Sequence, residues 1–276
     1  DSACSLPAVT LSPETQARIR TYTRELARKL RVVGLMNCQF AIAGDDIYLL
    51  EVNPRASRTI PFVTKATGRP LLALAVKVMM GKSLHDLGVR RDLDDELDIF
   101  HVKAPVFPFN KFPDVDVLLG PEMRSTGEVM GRAHQFAGAY AKAMAAASVR
   151  LPLEGKAFFS IRDEDKAAAL PLAMDLKQLG FELWATGGTE EFLNRYELGV
   201  KRINKVREGS PHCVDAIKNG EFNLVINTAS GDRAYTDSKA MRRAALEKKV
   251  PYATVLSSAR AMLQSIRQLR RGPIEI

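Results

Sequence analysis

The sequence predicts an α/β protein in two parts. Residues 1–150 read as an α+β unit built on an antiparallel hairpin, and residues 151–276 as a doubly wound parallel sheet. Three observations carry this. From Lys156 onward, short apolar runs alternate with helical patterns, which implies a parallel sheet covered by helices on both faces. Before that, two extended runs, 36–43 and 47–52, meet at Gly44-Asp45-Asp46, a hairpin signature. Between the two parts, Leu151-Pro152-Leu153-Glu154-Gly155 breaks both patterns. The 276 residues suffice for about two domains at ~100–200 residues each.

Ser12-Pro13-Glu14 starts the first helix, with serine as cap, proline in the first turn and an acid beside it. Ile19, Tyr22, Leu26, Leu30 and Val33 recur at helical spacing and form a stripe expected to face the core. The hairpin follows, then helices over about 61–67 and 70–81, the latter apolar enough to read as buried. Residues 82–98 are charged and read as a solvated loop or short helix. A strand over 99–107 and a helix over 136–147 complete the first part. In the second part, strands are expected at 156–161, 181–185, 223–227 and 251–255. Helices are expected at 164–179, 189–197, 236–248 and 257–271, with Pro171 expected to kink or break the first of them at a cost of ~3 kcal/mol.

The hairpin carries the most informative polar residues. With a three-residue loop at 44–46, residue 43 pairs with 47, 41 with 49, and Gln39 with Glu51. Asn53 is next along the same face, because side chains alternate along a strand. Three oxygen-bearing side chains on one face suit a hard cation such as Mg²⁺. Arg55 and Arg58, just beyond, suit phosphate oxygens, which the guanidinium fork matches.

In the second part, polar residues gather where the strands should end, the place where such sheets bind ligands. They are Ser160 with Arg162 and Lys166, then Thr186-Gly187-Gly188-Thr189, Lys205, and Asn227-Thr228. A Thr-Gly-Gly-Thr turn opening a helix offers backbone N–H groups, hydroxyls and a favourable dipole to an anion, and the lysines add charge. Such a turn alone can be no more than a helix cap, but with two lysines and Asn227 at neighbouring strand ends the pattern predicts a phosphate site.

Composition narrows the class. At 46% hydrophobic and 26% charged the chain is ordinary for a soluble protein, and no apolar run is long enough to cross a bilayer. The three cysteines, Cys4, Cys38 and Cys213, are scattered and odd in number, which points to a reducing cytoplasm with neither disulfides nor a zinc motif. The net charge of +8 is dispersed, without an aromatic-interleaved basic stripe, so nucleic acid is not expected as a partner.

Leu35–Ala41, Tyr48–Thr59, Pro61–Gly68, Pro108–Pro113 and Gly120–Glu128 together resemble the second ATP-grasp unit of the carbamoyl phosphate synthetase large subunit, the unit that phosphorylates carbamate. Ser160-Ile161-Arg162, Ala185–Thr189, Asn204-Lys205-Val206 and Ile226-Asn227-Thr228 resemble the methylglyoxal-synthase-like domain that ends the same subunit, a Rossmann-like fold.

The resemblance implies an ATP-dependent ligase making carbamoyl phosphate from bicarbonate, glutamine-derived ammonia and two ATP. It implies Gln39, Glu51 and Asn53 as holders of Mg²⁺ or Mn²⁺, with K⁺ as a further cation, and Arg55 and Arg58 as holders of the transferring phosphoryl group. It implies an allosteric site for UMP or IMP formed by Ser160, Lys166, Thr186, Thr189, Lys205, Asn227 and Thr228. The implied partners are a glutaminase small subunit and the rest of the large subunit, in an oligomer of heterodimers. On this reading the chain is a C-terminal fragment, inactive alone, since it opens in mid-pattern at Asp1 without an initiator Met.

Three departures qualify the resemblance. Tyr252 and Thr254 match a pair that holds ornithine in enteric-type relatives and Asp1 matches one acid, but Ala104 stands where a second acid is expected. Ala229 replaces a ribose or phosphate hydroxyl. Methylglyoxal synthase chemistry needs a carboxylate base, and Gly209-Ser210-Pro211-His212 offers none, so lyase activity is not expected. The remaining alternative is a free-standing nucleotide-binding regulator without catalysis.

Overall fold

In the computed structural model, residues 2–89, 97–107, 123–229 and 232–274 are described, the side chains of 232–236 excepted. The motif stretches Pro108–Pro113 and Gly120–Glu122, the charged run 90–96 and Asp1 lie outside them. The chain divides into two compact units, Ser5–Asp98 and Ile99–Ile276 with the first four residues. The sequence break at 151–155 is therefore not where compactness divides. At 151–155 the sheet type changes, but the residues before it pack with those after it.

A short strand, β1 (Cys4–Leu6), opens the chain. In the Ser5–Asp98 unit, α1 (Pro13–Lys29) starts as expected, Ser12 Oγ accepting from Thr15 N at 3.2 Å. It ends sooner than its apolar stripe, because Arg31 adopts a left-handed φ of 50°. The stripe does not become core. Ile19 and Leu26 are half-buried, Leu30 is 53% and Val33 63% exposed, and no residue of α1 is buried. Strands β2 (Asn37–Ala43) and β3 (Asp46–Asn53) form the expected hairpin, but its loop is the two residues Gly44-Asp45, with Gly44 at φ 60°. Ala43 thus pairs with Asp46 and Ala41 with Tyr48, each one residue off the expected register. A bulge between Gln39 and Phe40 on β2 and Leu49 and Glu51 on β3 takes up the difference, so Gln39 still faces Glu51. Helices α2 (Thr59–Thr67) and α3 (Leu71–Met79) follow. The apolar run in α3 was expected to be buried, yet only Ala75 is; Leu72 and Val76 are exposed.

In the second unit, β4 (Phe100–Val106) pairs antiparallel with β5 (Gly127–Ala133), and α4 (Phe136–Ala146) lies on them. No strand was expected at β5, where Gly127 and Gly131 interrupt the apolar alternation. Gly131 is required: a Cβ there would lie 2.1 Å from Ala139 O and 2.5 Å from Ala143 N. Small residues at that contact let helix and strand approach closely. Tyr140 is buried in it, and burial pushes its hydroxyl up to about 12. The folded state then holds this proton when the unfolded chain, with an ordinary tyrosine near 10, has lost it. Stability from this group is complete below about pH 10 and is lost as pH rises towards 12. Urea melts between pH 9 and 12 should show this decline, and Tyr140→Phe should flatten it.

The five-stranded parallel sheet runs β10-β9-β6-β7-β8, from β6 (Lys156–Ser160), β7 (Glu182–Thr186), β8 (Lys201–Ile203), β9 (Leu224–Asn227) and β10 (Tyr252–Ala253). Four strands were expected; β8 is short, charged and at an edge, so it lacks the apolar run of its neighbours. Alternation splits the core between the two faces. Ala157, Phe159, Leu183, Ala185, Leu224 and Ile226 join one cluster, and Phe158 and Val225 join the other.

Helices α5 (Asp163–Gln178), α6 (Gly187–Asn194), α7 (Cys213–Lys218), α8 (Asp232–Glu247) and α9 (Leu256–Arg271) complete the domain. The sequence missed α7, at six residues too short to show a period. Pro171 neither ends nor interrupts α5. It sits on the exposed face, where water can reach the backbone it disturbs, and Arg260 Nη2 donates to Ala168 O at 3.2 Å beside it. Among the described residues no helix is long and apolar enough to cross a membrane.

Candidate functional site

Two constellations stand out, one in each unit. In the first, Glu51 Oε1 accepts from Gln39 Nε2 at 2.6 Å and from Asn53 Nδ2 at 2.8 Å. The bulge makes this possible by returning Gln39 to the register of Glu51. Among the described residues no group of three or more His, Cys, Asp or Glu could hold a metal. A cation here would instead rest on one carboxylate and two amides. Those amides now turn their nitrogens towards Glu51. A half-turn of each, the two orientations being nearly isosteric, would present three oxygens to a cation, so the donor set fits a hard divalent ion. Arg55 and Arg58 follow at the strand end, both exposed; Arg55 Nη1 donates to Ala56 O, and Arg58 sits at the cap of α2.

The second constellation is a cavity of about 510 Å³ at the carboxyl ends of β6, β7 and β9. Strand order reverses about β6, with β7 and β8 on one side and β9 and β10 on the other, so the cavity lies at the topological switch point. All seven residues expected to hold a nucleotide line it: Ser160, Lys166, Thr186, Thr189, Lys205, Asn227 and Thr228.

The local structure explains their placement. Thr186 ends β7 in an extended conformation, and α6 begins at Gly187, turning its free N–H groups inward. A Cβ on Gly188 would sit 3.3 Å from Lys166 Nζ, so glycine keeps that wall open. Thr189 Oγ1 accepts from Ile161 N at 3.0 Å and lies 3.3 Å from Ile161 O, which fixes the β6–α5 loop against α6. Thr228 Oγ1 accepts from Arg162 N at 3.1 Å, fixing the other side of that loop.

Charge is arranged in pairs around this frame. Lys166 Nζ lies 2.6 Å from Asp163 Oδ1. That bond, with the field of Lys205 as a lesser cause, holds the Asp163 carboxyl below the usual carboxylate range. Arg162 grips Asp165 through two bonds of 2.7 and 3.1 Å, which lower the Asp165 pKa and raise that of the guanidinium. Asn227 is 2% exposed; its Nδ2 donates to Ser160 O at 3.4 Å, and its Oδ1 has no partner among the described residues. A buried, unsatisfied acceptor on a cavity wall suits a ligand bearing a donor.

Sequence reasoning missed Asp237 and Ser238 of α8, which also line the cavity. Nothing in the linear order brings α8 to the ends of β6 and β7. Tyr252 and Thr254 do not line it. Tyr252 packs against the core on its face of the sheet, with its hydroxyl pushed up by burial. Ala104 is fully buried in an apolar cluster, where a carboxylate would lose its hydration.

His212 caps α7, its Nδ1 accepting from Asp215 N, while Asp215 Oδ2 accepts from Ser210 Oγ and His212 N. Both are engaged in the cap and neither lines the cavity. Cys213 does line it but is 1% exposed, and burial pushes its thiol up to about 11. At pH 8 it should carry on the order of 100-fold less thiolate than a thiol at its ordinary value. Burial raises the Cys4 and Cys38 thiols too, but both are part-exposed, so a thiol reagent should reach them in the native protein and Cys213 only on unfolding.

Comparison with known proteins agrees with both halves. Residues 1–87 match the carbamoyl-phosphate synthase L chain, ATP binding domain, and residues 168–254 match the MGS-like domain. Carbamoyl phosphate synthase large chains align over nearly the whole chain. The one from Xanthomonas axonopodis pv. citri is 50% identical over 99% of this chain, and that from Pasteurella multocida 53% over 98%. The one from Synechocystis sp. is 47% identical over all of it. This chain belongs to the carbamoyl phosphate synthase large-chain family. It spans about a quarter of the length of these relatives, 25–26%. A methylglyoxal synthase from Elizabethkingia anophelis NUHP1 aligns with 41% of this chain and 79% of its own, at 21% identity and a TM-score of 0.35.

Proposed function

We propose that this chain supplies two working parts of a glutamine-hydrolysing carbamoyl phosphate synthetase large subunit. One is the phosphoryl side of the carbamate-phosphorylating site, and the other is a regulatory nucleotide site. The parent enzyme would make carbamoyl phosphate from bicarbonate, glutamine-derived ammonia and two ATP, in the cytoplasm. Its partners would be a glutaminase subunit and the remainder of the large subunit, and nucleic acid would play no part. The stretch before 151 would belong to the ligase portion and 151–276 to the regulatory domain, and the chain alone would not turn over.

At the hairpin, Gln39, Glu51 and Asn53 would hold Mg²⁺ or Mn²⁺, which when bound neutralises phosphate charge and orients ATP. Arg55 and Arg58 would bind equatorial oxygens of the transferring phosphoryl group through paired N–H donors.

In the cavity, Lys166, Lys205 and the N–H groups opening α6 would hold a nucleotide monophosphate, with Thr186 and Thr189 beside them. Asn227, Thr228 and Ser160 would face the ribose. The observation that carries this reading is the convergence of those seven residues, from four separate stretches of chain, on one switch-point cavity. Calorimetric titration with UMP and IMP is the test. Saturable binding should weaken about 10- to 100-fold in Lys205→Ala, the loss expected for a charged hydrogen bond of ~1.5–3 kcal/mol. Binding unaffected by Lys205→Ala and by Lys166→Ala would place the ligand elsewhere and sink the assignment.

A further inference from the structure

One apolar cluster runs across the break at 151–155. It contains Val102 of β4, Tyr140 of α4, Phe159 of β6 and Ile266 of α9.

Helix α9 is the common strut. Ser265 is fully buried and its Oγ donates to Ala137 O at 2.8 Å, tying α9 to α4. On another side, Arg267 Nη2 lies 2.6 Å from Asp175 Oδ1, tying α9 to α5, whose first turn lines the cavity.

The break itself is fastened. Arg270 Nε donates to Leu153 O at 2.6 Å with its guanidinium 5.8 Å from the Phe181 ring, and Lys156 N donates to Asn223 Oδ1 at 2.9 Å. A linker gripped by side chains from α9 and from the loop before β9 is not a hinge.

We propose that β4, β5, α4 and the elements from β6 to α9 open and close as one cooperative unit with α9 at its centre, so that a ligand in the switch-point cavity also stabilises β4, β5 and α4. The physical basis is linkage. A ligand that binds only the closed unit lowers the opening of every element that opens with it, by the same factor. The ligand part of this proposal rests on the nucleotide reading above; the cooperative unit does not.

The test is amide hydrogen exchange of the 276-residue chain against urea, without and with UMP or IMP. Without ligand, the slowest amides of β4, β5 and α4 should share one urea dependence with those of β6, β7 and α9. Two separate dependences, with residues 100–146 opening first, would overturn the proposal. With nucleotide at 100 times its Kd, protection should rise by about 100-fold in both groups. A rise confined to residues 156–271 would overturn it equally. Coincident dependences with no nucleotide effect in either group would remove the nucleotide reading and leave the cooperative unit standing.

Discussion

Replacing Gly131 with alanine is expected to destabilise the protein by about 3 kcal/mol or to prevent folding, the upper end of what overpacking costs. The new methyl would meet Ala139 O at 2.1 Å and Ala143 N at 2.5 Å. Both are backbone atoms in the middle of α4, so relief requires moving the helix away from β5 rather than turning a side chain. The measurement is the urea midpoint of the second unit beside Gly127→Ala, a control on the same strand where a Cβ meets nothing within 4 Å. Similar midpoints for the two variants would mean that α4 does not sit where the structure puts it.

Glu51→Gln, built into a full-length large chain, is expected to slow phosphoryl transfer from carbamoyl phosphate to ADP by roughly 10²- to 10³-fold, typical of losing one preorganised electrostatic group. Glu51 is the one acid of its constellation, and both amides hydrogen-bond to it. Glutamine has the same shape without the charge, and Glu51 is exposed, so folding should change by less than about 0.5 kcal/mol. Bicarbonate-dependent ATP cleavage, the work of the other ATP-grasp half in the proposed scheme, should persist. Equal loss of both activities would count against a role confined to carbamate phosphorylation.

Much of the second unit was legible because local pattern and tertiary environment agree. β6, β7 and β9 are buried almost throughout, so each appears as a mostly apolar run, and the polar residues that end those runs mark the strand ends that line the cavity. Elements whose local sequence lacks a period were not legible. β8 is an edge strand of Lys-Arg-Ile, α7 has six residues, and β5 carries the glycine that a helix presses against. Asp237 and Ser238 reach the cavity only because α8 folds back across the sheet ends. In the hairpin, the expected pairing of Gln39 with Glu51 holds although the expected loop length does not, because a one-residue shorter turn is offset by a one-residue bulge.

Most of the element order, the switch from hairpin to parallel sheet and the residue types proposed to meet phosphate and metal are legible in the chain itself. These follow from periodicity and side-chain chemistry, which are local. The hairpin's register, the membership of the cavity, the continuity of α5 through Pro171, and the core that joins β4, β5 and α4 to the parallel sheet come from tertiary packing. Each of those depends on which surfaces touch. Burial is a property of pairs of segments far apart in the chain, and no single segment records its partner.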